Sequence, residues 1–378
     1  MKIPLTKPYF DASEKELVCD VIESGWWTAG PQVTSFEKDI EAFIGAGDAL
    51  ATTSCTTSLH LALLINGIGP GDEVIIPSYT WIATANVVLM AGAIPVFADI
   101  DLRTLNVSVE SIKGQITRKT KAIMCVHQFG NPVNLKAIGQ LAVENGLILI
   151  EDAACALGSQ YDGRYIGAHG HDSCFSFHPR KLISTGEGGA LITHDPEKLK
   201  RAKELLNHGA SISDMKKHQA GTVEALLNES FDEMGYNYRM TNFQGAMGIA
   251  QMAKLKEILC LRSKWASRYR EALNQIPSIC FIEHEETGVS NWQSFAIRIL
   301  PDSSDRRNRV AQDLLDHQIA CRPAYMACHE HKAHARYQNI SLPNTELALK
   351  SLLILPLYPT MTDDEFDYVV ENLKKALI

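Results

Sequence analysis

The sequence predicts an α/β protein: a large α/β/α domain on a mostly parallel sheet, then a smaller C-terminal α+β domain. Three observations predict this layout. Short apolar runs alternate with amphipathic stretches from residue 50 to about residue 206. Many of the runs are apolar on both faces, as strands covered by helices on either side must be. Beyond about residue 255 the character changes, and one long helical stretch leads into an alternating segment and two helices. The expected division is 1–255 for the large domain with its N-terminal arm and 256–378 for the small domain. A chain of 378 residues has room for two or three domains and a large core.

The elements follow in order. In the arm, Ser13 precedes Glu14, Glu16 and Leu17, and a helix runs toward Ser24 and Gly25. The stretch Gly25-Trp26-Trp27-Thr28-Ala29-Gly30-Pro31 is punctuated by glycine and proline and forms a loop. Its paired tryptophans serve either to pack the arm or to wall a site. Strands are expected at Asp72–Pro77, Ile94–Ala98, Ala122–Val126, Leu147–Glu151, Ser173–Phe177 and Ala190–Thr193. Helices are expected at Thr57–Ile65, Ile82–Ala91, Asn134–Glu144 and Pro196–Leu206. Val74 to Ala98 carries no charge and is long enough to span a bilayer. Pro77, Gly92 and Pro95 interrupt it, so it reads as strand, helix, strand. Gln244 to Leu273 reads as one long helix that bridges the two domains. Ser294–Leu300 alternates like a strand, and Arg307–His317 and Asp364–Leu377 read as helices.

Charge and cysteine usage exclude some functions. With 36 Lys+Arg against 44 Asp+Glu, the net charge is -8, and the chain lacks the basic footprint of a general nucleic-acid binder. Nine cysteines without a CxxC pair point to free thiols in a reducing compartment. No basic start followed by an apolar run and cleavage site is seen, so a cytoplasmic protein is expected.

Five segments could carry chemistry. In Ser176-Phe177-His178-Pro179-Arg180-Lys181, a lysine stands just past a strand, before Gly186-Glu187-Gly188-Gly189. Burial there would lower its pKa and make an amine able to form a Schiff base; the alternative is a structural or solvent-exposed lysine. Glu151 and Asp152 end an apolar strand at the sheet edge where α/β proteins bind ligands. Asp152 either holds a ring nitrogen protonated or caps a helix. Thr52 to Ser58 is rich in hydroxyls and opens an apolar helix, a place for phosphate or for simple capping. Trp81, just past a strand, either stacks on a planar ring or packs in the core. Asn237 and Arg239, alternate residues in a turn before a helix, either reach an anion or tie the loop down. His127 follows a strand at the same edge and either holds substrate or is structural. Lysine, carboxylate, aromatic and hydroxyls together are the inventory for pyridoxal phosphate.

These segments resemble the DegT/DnrJ/EryC1/StrS family of fold-type I pyridoxal-phosphate enzymes, mostly sugar aminotransferases. The likeness runs from Lys7-Pro8 through Ser24-Gly25-Trp26, Phe36-Glu37, Ser54-Cys55-Thr56 and Pro77 to Trp81. It continues through Glu151-Asp152-Ala153-Ala154, the lysine segment and Gly235 to Thr241, and ends at Leu355-Pro356-Leu357-Tyr358-Pro359. The resemblance implies Lys181 as the Schiff-base lysine, Asp152 against the pyridine nitrogen and Trp81 over the ring. It implies that Thr56, the backbone at Thr57, and Ser176 bind the phosphate. It further implies a homodimer with shared sites, Asn237 and Arg239 reaching the partner's cofactor, and Trp27 and Gly30 near the sugar. Cys155 departs from the pattern, because relatives commonly have Gln or His there beside the cofactor ring. Relatives that dehydrate sugars have His in place of the lysine, whereas here Lys181 is present and His178 lies three residues earlier. The expected reaction moves an amino group from L-glutamate to a nucleotide-linked 4-keto-6-deoxysugar, with no metal. Amination at C3, a cyclitol substrate, or a noncatalytic regulator are the alternatives.

Overall fold

The computed structural model describes residues 1–213, 215, 217, 229–323, 326–335 and 340–378. Its centre is a seven-stranded sheet. From one edge to the other the strands are Asp48–Thr52, Gly189–Thr193, Asp172–Ser176, Ile148–Asp152, Thr120–Val126, Glu73–Pro77 and Ile94–Ala98. Only Gly189–Thr193 runs against the rest. The carboxyl ends of the other six therefore share one edge, where residues 52, 77, 98, 126, 152 and 176 stand.

Both faces of this sheet are covered, which is why its strands read as continuous apolar runs. One face buries Ile75, Ile123, Phe175 and Ala190 with Phe36 and Ile40 of the helix Pro31–Ile44. The other buries Val74, Ile76, Met124 and Leu191 under Leu59, Leu61 and Leu63 of the helix Cys55–Ile65. The uncharged stretch from Val74 folds as strand Glu73–Pro77, a two-residue strand, helix Ala83–Met90 and strand Ile94–Ala98. No helix among the described residues is long and apolar enough to cross a membrane.

The long helix spans Asn242–Leu273, about 48 Å at the usual rise per residue. Thr241 and Gln244 cap its start reciprocally. Gly248 lets the helix press against the Phe36 ring, since a β-carbon there would stand 2.6 Å from it. Its far end enters a second core, with Trp265, Tyr269 and Leu273 against Phe295, Ile297, Leu353 and Phe366. That core lies on a four-stranded sheet in the order Ile279–Phe281, Phe295–Ile299, Leu352–Leu355, Arg322–Pro323. The first residues of the chain cross over to this C-terminal part: Ile3 exchanges backbone hydrogen bonds with Gln318 and Ala320. Strand Asp48–Thr52, helix Val109–Gln115 and helix Pro343–Ser351 are additions to the elements expected from sequence.

Candidate active site

At the shared edge of the large sheet lies a cavity of about 300 Å³, within the range of small-molecule sites. Its walls come from both sheets: Thr56, Trp81, Thr84, Asp152, Ser176 and Lys181 from one side, Arg322, Leu355 and Leu357 from the other.

Lys181 is delivered by a loop held on every side. The Lys181 N–H donates to His178 O at 2.8 Å, and Thr185 N–H donates to Phe177 O at 2.9 Å. Gln293 Nε2 donates to Arg180 O at 2.9 Å, and Ser184 N–H donates to Gln251 Oε1 at 3.2 Å. Gln293 is itself fixed by the fully buried Arg262 of the long helix, whose guanidinium donates to the carbonyls of Trp292 (2.8 Å) and Gln293 (2.5 Å). The lysine amine donates to Cys155 Sγ at 3.1 Å. Burial pulls the Lys181 pKa down, but Cys155, Cys55 and Asp152 outweigh it and the net direction is up. This corrects the depressed pKa expected from sequence: the loop is apolar, but its cavity brings a carboxyl group and two thiols to the amine.

Asp152 ends its strand facing the same cavity. Thr84 Oγ1 donates to Oδ2 at 2.7 Å and Ala154 N–H donates to Oδ1 at 3.1 Å. Burial still pushes its pKa up, against the pull of Thr84, Ala154, Lys181 and His127. A carboxyl group in that state gains from a cationic N–H beside it.

The hydroxyl-lined end of the cavity is built around Gly189. It pairs with Thr52 on one side and Ser176 on the other, so three strand ends lie in one row. A β-carbon at Gly189 would collide with the backbone of Ser54 and Cys55, so only glycine lets the reversed strand approach the helix start this closely. Ser54 caps that helix: its hydroxyl accepts from Thr57 N–H at 3.2 Å. Thr56 and Ser176 line the cavity. Thr57 does not; its hydroxyl donates to Ser54 O at 2.7 Å, and its backbone N–H is taken by the cap.

The remaining expectations divide. Trp81, Cys155 and His178 line the cavity. His178 Nδ1 accepts from Arg180 N–H at 3.2 Å, and burial lowers its pKa. His127 takes the structural of its two alternatives and not the substrate role. Its Nε2 meets Glu151 Oε2 at 2.9 Å and its Nδ1 accepts from Val133 N–H at 3.1 Å, all in the interior. Val126 lines the cavity, so the next side chain turns to the opposite face. Trp27 and Gly30 stand off the cavity of their own chain, by the start of the long helix, where Trp27 packs on Phe243 with ring centres 6.0 Å apart. Asn237 is exposed, and Arg239 donates to Asn207 Oδ1 at 2.7 Å rather than lining this cavity.

Sequence reasoning missed Thr84, Gln128, Arg180 and Arg322. Gln128 lines the cavity and donates to Tyr79 O. Arg322 sits over the Trp81 ring, 5.8 Å from its centre, a cation–π contact at the mouth. Among the described residues neither Arg180 nor Arg322 has a carboxylate partner within ion-pair distance. No group of three or more metal-ligating side chains occurs among them.

The residues present fit pyridoxal phosphate. Lys181 offers an amine to a carbonyl, Asp152 offers a buried carboxyl group to a ring N–H, and hydroxyls at a helix start suit a phosphate.

The comparisons with known proteins agree. The model of the DegT/DnrJ/EryC1/StrS aminotransferase family matches residues 8–374. The spore coat polysaccharide biosynthesis protein SpsC of Bacillus subtilis is 35% identical over 377 residues, covering 98% of this chain and 96% of the relative. Among solved structures, the aminotransferase TlmJ from Streptoalloteichus hindustanus matches with a TM-score of 0.91 and 29% identity, covering 100% of this chain and 99% of that one. Spr1654 from Streptococcus pneumoniae, in its PMP form, matches with a TM-score of 0.93 and 26% identity, also covering 100% and 99%; it is solved in a PLP form as well. The fold is thus that of the fold-type I aminotransferases, and the chain belongs to the DegT/DnrJ/EryC1/StrS aminotransferase family, whose cofactor is pyridoxal phosphate.

Proposed function

We propose that this enzyme moves an amino group from L-glutamate to a nucleotide-linked 4-keto-6-deoxysugar, giving a 4-amino sugar nucleotide and 2-oxoglutarate. The observation that carries the reading is the meeting of the Lys181 amine and the Asp152 carboxyl group in one cavity. Two arginines at that cavity, Arg180 and Arg322, without carboxylate partners among the described residues, suit substrates that are both anions. SpsC, named for polysaccharide biosynthesis, supports a sugar acceptor. The preference for C4 rests on Ser184-Thr185-Gly186-Glu187-Gly188-Gly189, which looks more like C4-acting members than C3-acting ones, where Gly-Asp-Gly-Gly is common.

Pyridoxal phosphate, when bound, supplies a carbonyl that takes up an amine and a ring that accepts an electron pair. Lys181 holds it and then, as a free amine, takes the proton from glutamate Cα; a flexible side chain can deliver that proton nearby. In the second half-reaction the same amine returns a proton to the sugar carbon that receives nitrogen. Asp152 keeps a proton on the ring nitrogen, and Thr84 and Ala154 hold its carboxylate in place. Ser54, Thr56 and Ser176 hold the phosphate at the helix start. Trp81 covers the mouth and excludes water from one side.

The proposed assembly is a homodimer with shared sites. Asn237, exposed on its own chain, and the adjacent stacked pair Tyr236 and Tyr238 (ring centres 4.9 Å apart) form the loop offered to the partner. A division into residues 1–255 and 256–378, inside the long helix, belongs to the same proposal. Nine free thiols suit the cytoplasm. The test is a screen of nucleotide-linked keto-sugars with glutamate, scored by 2-oxoglutarate formation and product NMR. An amine on C3 defeats the C4 assignment, and no 2-oxoglutarate with any keto-sugar, despite full cofactor loading, defeats the sugar reading.

A further inference from the structure

We infer that Cys155 is a positioning residue for the catalytic lysine: its sulfur, rather than a longer amide or imidazole, holds the Lys181 amine when that amine is not joined to the cofactor. The inference rests on Lys181 as the cofactor lysine.

The geometry carries it. Lys181 Nζ donates to Cys155 Sγ at 3.1 Å, inside the distance for a sulfur acceptor. The thiol is not there by accident of a loose loop. Asn291 Nδ2 donates to both Cys155 O and Leu157 O at 2.8 Å, and Asn291 Oδ1 fills the space over Gly130, where a β-carbon would overlap it. The chain around Cys155 is thus clamped through its backbone, and its sulfur stands within reach of the amine. The charged and titratable groups that share the cavity with Lys181 are Cys155, Cys55 and Asp152, with His178, Arg180 and Glu187 on its own loop and Arg322 from the small sheet. Cys155 is the first of those that favour the ammonium form.

Chemical consequences follow from the softness and reach of sulfur. A thiol is a weak acceptor, so it releases the amine easily. It is also short, so it leaves the space beside the cofactor ring that Gln or His would fill. The lysine, between catalytic events, is parked on a nearby weak partner instead of being drawn away to solvent.

The experiment uses the full-length chain stripped of cofactor. Pyridoxal phosphate is added, and its attachment to Lys181 is followed by absorbance across a range of pH. Only the neutral amine attacks the carbonyl, so the pH profile of the attachment rate reports on the lysine. In Cys155→Ala the ammonium loses its acceptor, the profile moves to lower pH, and attachment near neutral pH becomes several-fold faster. Cys155→Val, apolar and close in volume, gives the same shift if Ala leaves a cavity that impairs folding. Cys155→Ser, which keeps an acceptor, stays nearer wild type. A purely structural cysteine would change cofactor retention and leave the profile in place, so Ala and Val profiles that overlay on wild type overturn the inference, as does a shift to higher pH. Borohydride reduction and mass mapping of the wild-type holoenzyme test the lysine assignment separately; an adduct on another lysine removes the premise and overturns the inference with it.

Discussion

The guanidinium of Arg322 rides 5.8 Å from the centre of the Trp81 indole, so the small sheet lays a cation over the aromatic that the large sheet sets at the cavity mouth. Two side chains 241 positions apart in sequence therefore share one edge of the site. Arg322→Gln should raise KM for at least one of the two anionic substrates by about tenfold, the size of a lost charged hydrogen bond, while kcat changes little. Steady-state kinetics with each substrate varied in turn checks this, and unchanged KM values for both would remove the arginine from recognition.

Lys181 should be the residue joined to the cofactor. Reduction of the holoenzyme with borohydride should leave a stable adduct that mass mapping finds on Lys181. Lys181→Ala should bind less cofactor and show no turnover.

Asp152→Asn should keep the fold and lose kcat on the order of 100-fold, because the amide cannot balance a proton on the ring nitrogen. Thr84 Oγ1 and Ala154 N–H donate to different oxygens of Asp152; in the amide, the oxygen keeps Ala154 N–H and the NH2 can donate to a reoriented Thr84 hydroxyl, so circular dichroism should match wild type. Near-normal turnover would count against the role.

Shared sites can be tested by mixing two inactive variants. Lys181→Ala and Asn237→Ala chains, once subunit exchange is verified, should regain part of the wild-type activity in heterodimers. Exchange without recovery would argue for sites confined to one chain.

Glu37 makes a pH prediction for stability. Burial pushes its carboxyl group up to about 7, although Ala51 N–H pulls the other way, whereas the ordinary value is 4.5. Between these values the folded chain holds a proton that the unfolded chain has released. Its contribution to stability is therefore lost as pH rises through that window and is gone above it. Glu37→Gln should shrink the drop in Tm between pH 5 and pH 8, as thermal melts at the two pH values would show.

Much of this was legible in the sequence. The parallel strands announced themselves because both faces are buried, and Asp152, Ser176 and Lys181 could be placed because strand ends and the loops after them define the ligand edge. Asp48–Thr52 was missed, as Asp-Ala-Leu-Ala-Thr carries little β-branched character and becomes a strand only by pairing with Gly189–Thr193. Arg322 and Gln128 were missed because nothing local marks them; the packing of a distant sheet brings one, and a turn with Phe129 at positive φ the other. His127 stayed open between substrate and structure, since a strand's parity, not its proximity to the edge, decides which face a side chain meets.

The row Thr52, Gly189, Ser176 has a consequence for how such an enzyme can diversify. Main-chain pairing and the bare α-carbon of Gly189 set the spacing between the helix start at the cavity's hydroxyl-lined end and the strand that leads to the lysine loop. Side-chain drift cannot alter that spacing, and one substitution at Gly189 would spoil it. The rim, where Trp81, Arg180 and Arg322 stand, carries no such constraint. Directed evolution toward a new acceptor should therefore find its gains at the rim, while every lineage that survives selection keeps a glycine at this one position.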